Sequence, residues 1–556
     1  MSRSAPPKFR GDFRDDEAAR AVYAEAAGIG RIVPLAVAVP RDTPDVCALV
    51  RWARDEGLSL VPRGSGSSMA GGAIGSGIVV DLSRLRDLGA PDARARRITA
   101  GAGVLRGEID RAAGVAGLRF PVDPSSGEFA TIGGMVATNA SGARSLRHGS
   151  TRPWVRAAEC VFDDGSVAVL RRDDPASTTD VAALRRLETD ARPVLLEHGP
   201  AAVARRRAVR KDSSGYGIAP YLESLDPLDL VIGSEGTLAV VTSVQLALAP
   251  TPGGAAVMLL AFDDLDAAVA AAARCRVLGA AACELLDRTF LAIAADGGAP
   301  LPVPPHTEAV LVVETEADDP AGAAAAAHAV LEELRRDHAA LHAIVATDET
   351  RGHEIWALRH AASPAIARLD PSLRSMQFIE DAAVPPHRLA DYVRGVREIL
   401  AREDTRGVIF GHAGDAHVHV NPLIDVRRPD WRARLERILL DVTALVAALE
   451  GTLSGEHGDG RLRTPLLDRV WPAEALVCFA AIKSAFDPRG MFNPGVKVPL
   501  AGQRAVDVVK YDPTLPAAPA DAARALARVD AERAYARFRL DLLGAATKFP
   551  RHGTLL

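Results

Sequence analysis

Lysine is nearly missing from this chain. Six of its 66 basic residues are Lys and the rest are Arg. Nucleotide composition accounts for such a bias, and no function follows from it. Cysteine is scarce as well: Cys47, Cys160, Cys275, Cys283 and Cys478 are the five, and none forms a CxxC pair. Their spacing argues against a cluster held by closely grouped thiolates. Cys275 and Cys283, in an Ala-rich stretch, read as small buried hydrophobes. No apolar run reaches the ~18 residues of a membrane span. The start, MSRSAPPKFRGDFRDDEAAR, lacks the apolar core of a signal peptide. A basic excess is also absent: 66 − 71 gives a net charge of −5. That excludes a nucleic-acid binder driven by phosphate neutralisation. The expectation is a soluble cytoplasmic protein, any membrane association being peripheral and through a partner.

What is present is length and alternation. At about 100–200 residues per domain, 556 residues make two to four domains. Residues 15–27 read as a short helix and IVPLAVAVPRD as a strand. TPDVCALVRWARDEG reads as a helix capped by Thr43 with Pro44 at its first position. Strands LSLVPRG and IVVDLS flank a Gly/Ser-rich loop; residues 121–155, dense in Gly, Ser, Thr and Asn, read as irregular. AECVFDDGSVAVL carries a DG hairpin signal. Residues 181–208 read as helix, and DLVIGSEGTLAVVTSVQLALAP as a return to strand. PTPGG at 250–254 is the clearest linker. Beyond it, a β-α-β-β-α order predicts a ferredoxin-like α+β unit. Residues 429–450 form an amphipathic helix, and roughly 520–543 a helix in the tail.

Two stretches carry chemistry. Arg63-Gly64-Ser65-Gly66-Ser67-Ser68 follows a strand, and small residues there let successive amides line a nest for phosphates. The loop matches neither the Walker pattern nor GxGxxG, where Met69 replaces the third glycine; a plain loop is the alternative. The second stretch is GHAGDAHVHVNP at 411–422. Period two puts His417, His419 and Asn421 on one strand face, with His412 folding back from the preceding turn. SGEHGDG at 454–460 adds Glu456 and His457 on a glycine-rich turn. Two His and one Glu suit an open metal site, with Asp415 available to orient a ligand imidazole. Ordinary packing histidines are the alternative.

Four segments, in order, resemble the vanillyl-alcohol oxidase / p-cresol methylhydroxylase family of FAD enzymes: PRGSGSSMAGGAIGSGIVVDLS, DPSSGEFATIGGMVATNASGARSLRHGST, VIGSEGTLAVVTSV and NPGVKV. HAGDAHVHVNP and SGEHG resemble the D-2-hydroxyacid dehydrogenase branch (D-lactate, D-2-hydroxyglutarate and glycolate dehydrogenases). The resemblance implies an α+β fold: a two-part FAD-binding domain of the p-cresol methylhydroxylase type plus a ferredoxin-like substrate (cap) domain. It divides the chain into an N-terminal helical segment (1–30), an FAD-binding domain (31–250), a cap domain (251–445), a segment closing on FAD (446–500) and a helical tail (501–556).

By that resemblance Arg63, Gly64, Ser65, Gly66, Ser67, Ser68, Pro124, Ser125, Thr131, Gly133, Gly134, Gly142, Gly149, Glu235, Gly236, Val241 and Asn493 would surround the FAD. Members that bind FAD covalently through the loop carry a His there; Ser67 and Ser68 imply non-covalent FAD. His148 reads as a surface or packing residue. His412, His419 and Glu456 would hold a divalent metal, zinc by preference, with His457 as base and Asn421 touching substrate. His417 stands where the branch has Asn. In WALR, Arg359 would clamp the substrate carboxylate bidentately. Ile379-Glu380-Asp381 occupies the place where D-2-hydroxyglutarate enzymes carry a Lys, leaving Arg374, Arg461 and Arg463 as candidates for a second carboxylate.

The implied reaction is oxidation of a small D-2-hydroxyacid to the 2-oxoacid, with hydride passing to flavin N5. The electrons would leave through a separate acceptor: an iron–sulfur subunit, an electron-transfer flavoprotein or a quinone, docked by the tail helix. A homodimer is compatible with the sequence. The rival readings are a transferase resembling alkylglycerone-phosphate synthase, disfavoured by the His/Glu cluster, and a non-catalytic subunit of a glycolate-oxidase-like complex, which should have lost that cluster.

Overall fold

The computed structural model describes residues 6–544 except 173, 175–179, 205, 207, 297, 299–300, 339, 341 and 360–371. Its first sheet is built from β1 (Asp12–Arg14), β2 (Ala36–Val39), β3 (Leu60–Arg63) and β4 (Ile78–Asp81), in the order β1-β2-β4-β3. β2, β4 and β3 run parallel. AVAV and IVVD are buried at every position, as strands covered on both faces must be. A second sheet joins β5 (Arg97–Gly101), β7 (Val155–Val161), β8 (Val167–Arg171) and β9 (Val240–Ala247) in the antiparallel order β5-β9-β7-β8. Here VVTSVQLA alternates buried and half-buried residues, the signature of one core face. Between β5 and β7 comes β6 (Leu118–Arg119), which pairs with β10 (Ala249–Pro250).

Beyond that crossing lies an eight-stranded antiparallel sheet. β11 (Gly254–Phe262), β12 (Ala282–Asp287), β13 (Ala309–Ala317) and β14 (His342–Ala346) take the order β14-β11-β13-β12, the 4-1-3-2 pattern of a ferredoxin-like unit. Helices Leu265–Val277 and Pro320–His338 supply its crossovers. The sheet continues from β12 into a hairpin of β17 (Arg406–His412) and β18 (His417–Asp425), which β15 (Leu373–Ser375) and β16 (Ala382–Ala383) flank. Val418 and Val420 join the apolar core under the helices, so the histidines between them face the other way.

Several local expectations are corrected. Asp42, not Thr43, caps the helix Thr43–Asp55, because its carboxylate accepts from the Asp45 amide; the Thr43 hydroxyl is spent on Glu159. The irregular segment 121–155 contains helices Ile132–Thr138 and Ser145–His148. The 181–208 helix runs from Ala182 to Ala204 and widens into a π-type turn at Leu187–Ala191. Pro227–Val231 is helix, so strand resumes only at Val240. The tail helix stops at Glu532, where Arg533 turns left-handed at φ 50°. Its buried Ala522, Ala525 and Val529 pack with Val22 and Val37. One face of the tail helix is thus packed against the chain itself.

The halves are pinned by charge. Arg119 and His148 on the first half reach Glu316 on β13, and Arg144 reaches Glu314. Burial pushes the Glu316 carboxyl up, but His148 and Arg119 outweigh it and hold it at about 2. Its folded value lies below its unfolded one. Its stabilisation is therefore complete above about 4.5 and is lost as pH falls toward about 2. The melting temperature of the protein should drop through that window, and less steeply in E316Q. Equal slopes in the two proteins would remove Glu316 from the account.

Candidate active site

A deep cleft separates the first two sheets. Fourteen of the seventeen expected cofactor residues line it: Arg63 to Ser68, Pro124, Ser125, Thr131, Gly133, Gly134, Glu235, Gly236 and Val241. Gly142, Gly149 and Asn493 do not. A Cβ on Gly142 would strike the Asp123 carbonyl at 2.1 Å, so that glycine serves chain packing. Gly149 closes the helix Ser145–His148 at φ 70°. Buried Asn493 donates to the Gly72 and Glu235 carbonyls, tying the first glycine segment to the third.

The cleft wants an anion. Among the described residues, no acceptor meets the backbone amides of Gly64 to Ser68, and the buried Ser68 hydroxyl has no partner. Buried donors without acceptors are costly, and a pyrophosphate supplies acceptors. The loop holds this shape because Gly64 has no Cβ; one added there would lie 2.1 Å from Thr131 Oγ1. G64A should weaken FAD binding about tenfold or more, read by titrating apoprotein with FAD. An unchanged affinity would place the phosphates elsewhere.

The histidine cluster sits against one end of this cleft. His412 ends β17 directly opposite His417, the first residue of β18. His412 Nδ1 donates to Glu284 Oε1 at 2.5 Å, and His419 Nδ1 donates to the Glu380 carbonyl at 2.9 Å. Both Nε2 lone pairs are thereby turned inward, 3.4 Å apart and each 3.3 Å from Glu456 Oε1. The other oxygen, Glu456 Oε2, accepts from Ser141 Oγ at 2.7 Å and Lys211 Nζ at 3.0 Å. One carboxylate oxygen and two imidazole nitrogens thus converge with their outer atoms already engaged, a donor set that fits a divalent cation. Burial raises the Glu456 carboxyl, but Lys211 and His412 carry it well below its usual range.

His417 also lies within 4.8 Å of this group. Its Nε2 donates to Asp381 Oδ1 at 2.9 Å, and its Nδ1 accepts from Lys211 at 3.4 Å. Burial and Lys211 hold it down to about 3, so it is a neutral spacer with both nitrogens engaged. Gly455 makes room for it: a Cβ there would meet the ring at 2.6 Å. His457 Nδ1 donates to Glu380 Oε1 at 3.1 Å, which leaves Nε2, 3.8 Å from Glu456 Oε1, toward the cleft that His457 lines. Burial works against protonation of this ring, but Asp381 and Glu380 raise it to about 9.

A second cavity adjoins the cleft along Pro124, Ser125 and Glu456. His412, Glu456, Arg359 and Trp356 line it, so Glu456 is a wall common to both spaces. Arg359 Nε pairs with Glu284, and its guanidinium lies 5.3 Å from the Phe410 ring centre. Asn421, half-buried two residues beyond His419, lines neither space.

Some assignments from sequence change. Asp415 does not orient an imidazole; it accepts from Ser145 and Arg276, because the turn Ala413–Asp415 aims it away. Arg463 is buried behind the cluster, holding Glu380. Arg461 secures Asn493 and Gly71, and Arg374 lies over Tyr511. None of the three lines either cavity. His148 bridges charges between the halves. Glu284 and Lys211 were missed, although each had a signal. Glu284 is the one charge in the apolar run ACELL. Lys211 is one of six lysines in an arginine-rich chain, and three of those, Lys211, Lys483 and Lys497, are buried or nearly so, with hydrogen-bonded ammonium groups.

Residues 34–171 match the family described as FAD binding domain, and residues 251–496 the C-terminal domain of FAD linked oxidases. The glycolate oxidase subunit GlcD of Bacillus subtilis is 29% identical over 87% of this chain and 93% of its own length. The D-lactate dehydrogenase of Archaeoglobus fulgidus is 28% identical, over 83% and 90%. The D-2-hydroxyglutarate dehydrogenase of Xanthomonas citri is 30% identical, over 83% and 89%. A solved alkyldihydroxyacetonephosphate synthase superposes with a TM-score of 0.58 at 16% identity, over 87% of this chain and 82% of that one, and shares the fold.

Proposed function

The chain belongs to the family of FAD-linked oxidases, and from that premise we propose that it oxidises a D-2-hydroxyacid to the 2-oxoacid. One observation carries this reading. The cleft that fits FAD, which His457 lines, and the arginine-lined cavity share Pro124, Ser125 and Glu456 as a common wall, beside a donor set that fits a metal. The relatives named for D-lactate, D-2-hydroxyglutarate and glycolate support the substrate class.

The amides of Gly64 to Ser68 would hold the FAD pyrophosphate, non-covalently since no His is in the loop. His412 and His419 through Nε2, and Glu456 through Oε1, would hold the divalent metal, zinc by the chemistry of the set. When bound, FAD supplies a two-electron acceptor for the α-hydrogen, and the metal supplies Lewis acidity. Arg359 binds the substrate carboxylate. His457 takes the hydroxyl proton at Nε2, because Glu380 engages Nδ1. Glu284 couples the two ends of the site, since one oxygen orients His412 and the other Arg359. Asp381 shapes the turn that carries the base, accepting from the His457 amide at 2.8 Å and the Ser454 hydroxyl at 2.7 Å.

The electrons then pass to a separate acceptor: an iron–sulfur subunit, an electron-transfer flavoprotein or a quinone. No described helix is long and apolar enough to cross a membrane. The experiment is anaerobic mixing of the FAD-loaded protein with D- and L-2-hydroxyacids. Loss of the oxidised-flavin absorbance with D-acids is expected. No bleaching by any of them, with metal supplied, would overturn the reading. Fast steady turnover with oxygen alone would overturn the separate acceptor.

A further inference from the structure

The cavity beside the cluster is walled by four arginines from distant parts of the chain: Arg106, Arg144, Arg359 and Arg533. Three already have a carboxylate partner, which in Arg359 engages Nε. Arg106 pairs with Asp110 at 2.8 Å and donates to the Val122 carbonyl. Arg144 is shared between Asp123 and Glu314, and Arg359 is paired with Glu284. Arg533 differs. Among the described residues no carboxylate pairs with it; its guanidinium lies over the Phe129 ring, 5.1 Å from the centre. Phe129 is buried and packs on Tyr535, ring centres 5.2 Å apart and tilted by 34°. That clamp holds the turn at the end of the tail helix against the cavity wall. Arg533 therefore stands at the cavity's solvent side, a cation still able to take an anion, while His412 and Glu456 stand at the other.

We propose that the C-terminal tail completes the substrate chamber, and that Arg533 is a specificity-determining residue favouring 2-hydroxyacids that bear a second anionic group. The proposal rests on the hydroxyacid reading above. The substrate's own carboxylate goes to Arg359 and its hydroxyl to the cluster. The distal carboxylate or phosphate then meets Arg533, the one wall cation whose charge is not already matched. Exposed Glu128 also lines the mouth and opposes an incoming anion, which limits the selectivity to about tenfold rather than the hundredfold of a buried pair.

The test uses the FAD-loaded full chain and its R533Q and R533K variants; Arg533 is exposed and outside the core. The acids are D-lactate, D-malate, D-2-hydroxyglutarate and 3-phospho-D-glycerate. Binding of pyruvate and 2-oxoglutarate is followed separately through the flavin absorbance. In R533Q the KM for the dianionic acids, and the Kd for 2-oxoglutarate, should rise about tenfold with kcat little changed. D-lactate and pyruvate should be unaffected, and R533K should recover part of the loss. The carboxylate and phosphate arms tell which distal group is preferred. A dianion-to-monoanion ratio that R533Q leaves unchanged, in both KM and Kd, overturns the role of Arg533. If no acid bleaches the flavin in either protein, the hydroxyacid reading fails, while the 2-oxoacid affinities still decide whether Arg533 receives an anion.

Discussion

E456Q should bind divalent metal at least about a hundredfold more weakly than the native protein while still holding FAD. Elemental analysis of the FAD-loaded protein measures the first and flavin absorbance the second. The argument is geometric: Oε1 is the atom both Nε2 groups face, and an amide there offers a neutral oxygen or a nitrogen with no lone pair to donate. The change has a second consequence. Lys211 is buried, and its ammonium has Glu456 as its carboxylate partner. Removing one member of a buried pair costs about 3–5 kcal/mol because the other charge stays behind. E456Q should therefore melt well below the native protein. The double variant E456Q/K211M should recover much of that stability and none of the metal affinity. Full metal occupancy in E456Q would show that the cation sits elsewhere.

H457A should keep both FAD and metal, yet slow anaerobic flavin reduction by a D-2-hydroxyacid about a hundredfold or more. The loss should fall on the reduction step and leave the apparent substrate affinity close to native, since Arg359 remains. Reduction at the native rate would remove His457 from proton transfer. The ring's raised affinity for a proton has a physical purpose in this scheme. Asp381 and Glu380 make it a strong proton acceptor, so flavin reduction should rise with pH as the ring loses its proton toward about 9. E380Q, which withdraws the negative charge beside Nδ1 while keeping an oxygen to accept from it, should slow the same step less severely than H457A.

Much of this was legible beforehand because the chemistry demands residue types that cannot hide. A phosphate nest needs consecutive small residues, so the run from Gly64 to Ser68 showed itself. His417 and His419 alternate with valines, and period two places them together whatever the rest of the fold does. The 4-1-3-2 sheet followed from apolar strands separated by Ala-rich helices. Other elements were hidden for equally physical reasons. Asp42 and Thr43 are both good caps, and only the register of the first helical turn chooses between them. Asp415 and Glu284 are both carboxylates near histidines, one in sequence and one in space. The left-handed Ala416 aims the turn so that the distant one reaches His412.

The sequence by itself determined the glycine loop, the alternation of the histidines along one strand and the ferredoxin-like unit, since these depend on local composition and periodicity, while the cofactor class came from four motifs met in a family's order. Only the tertiary structure decided which carboxylate orients His412, that Lys211 occupies one oxygen of Glu456, and that a tail arginine reaches the cavity beside the cluster. Those contacts join residues more than a hundred positions apart, and which groups meet across such distances is set by how sheets and helices pack, which no short stretch of chain encodes.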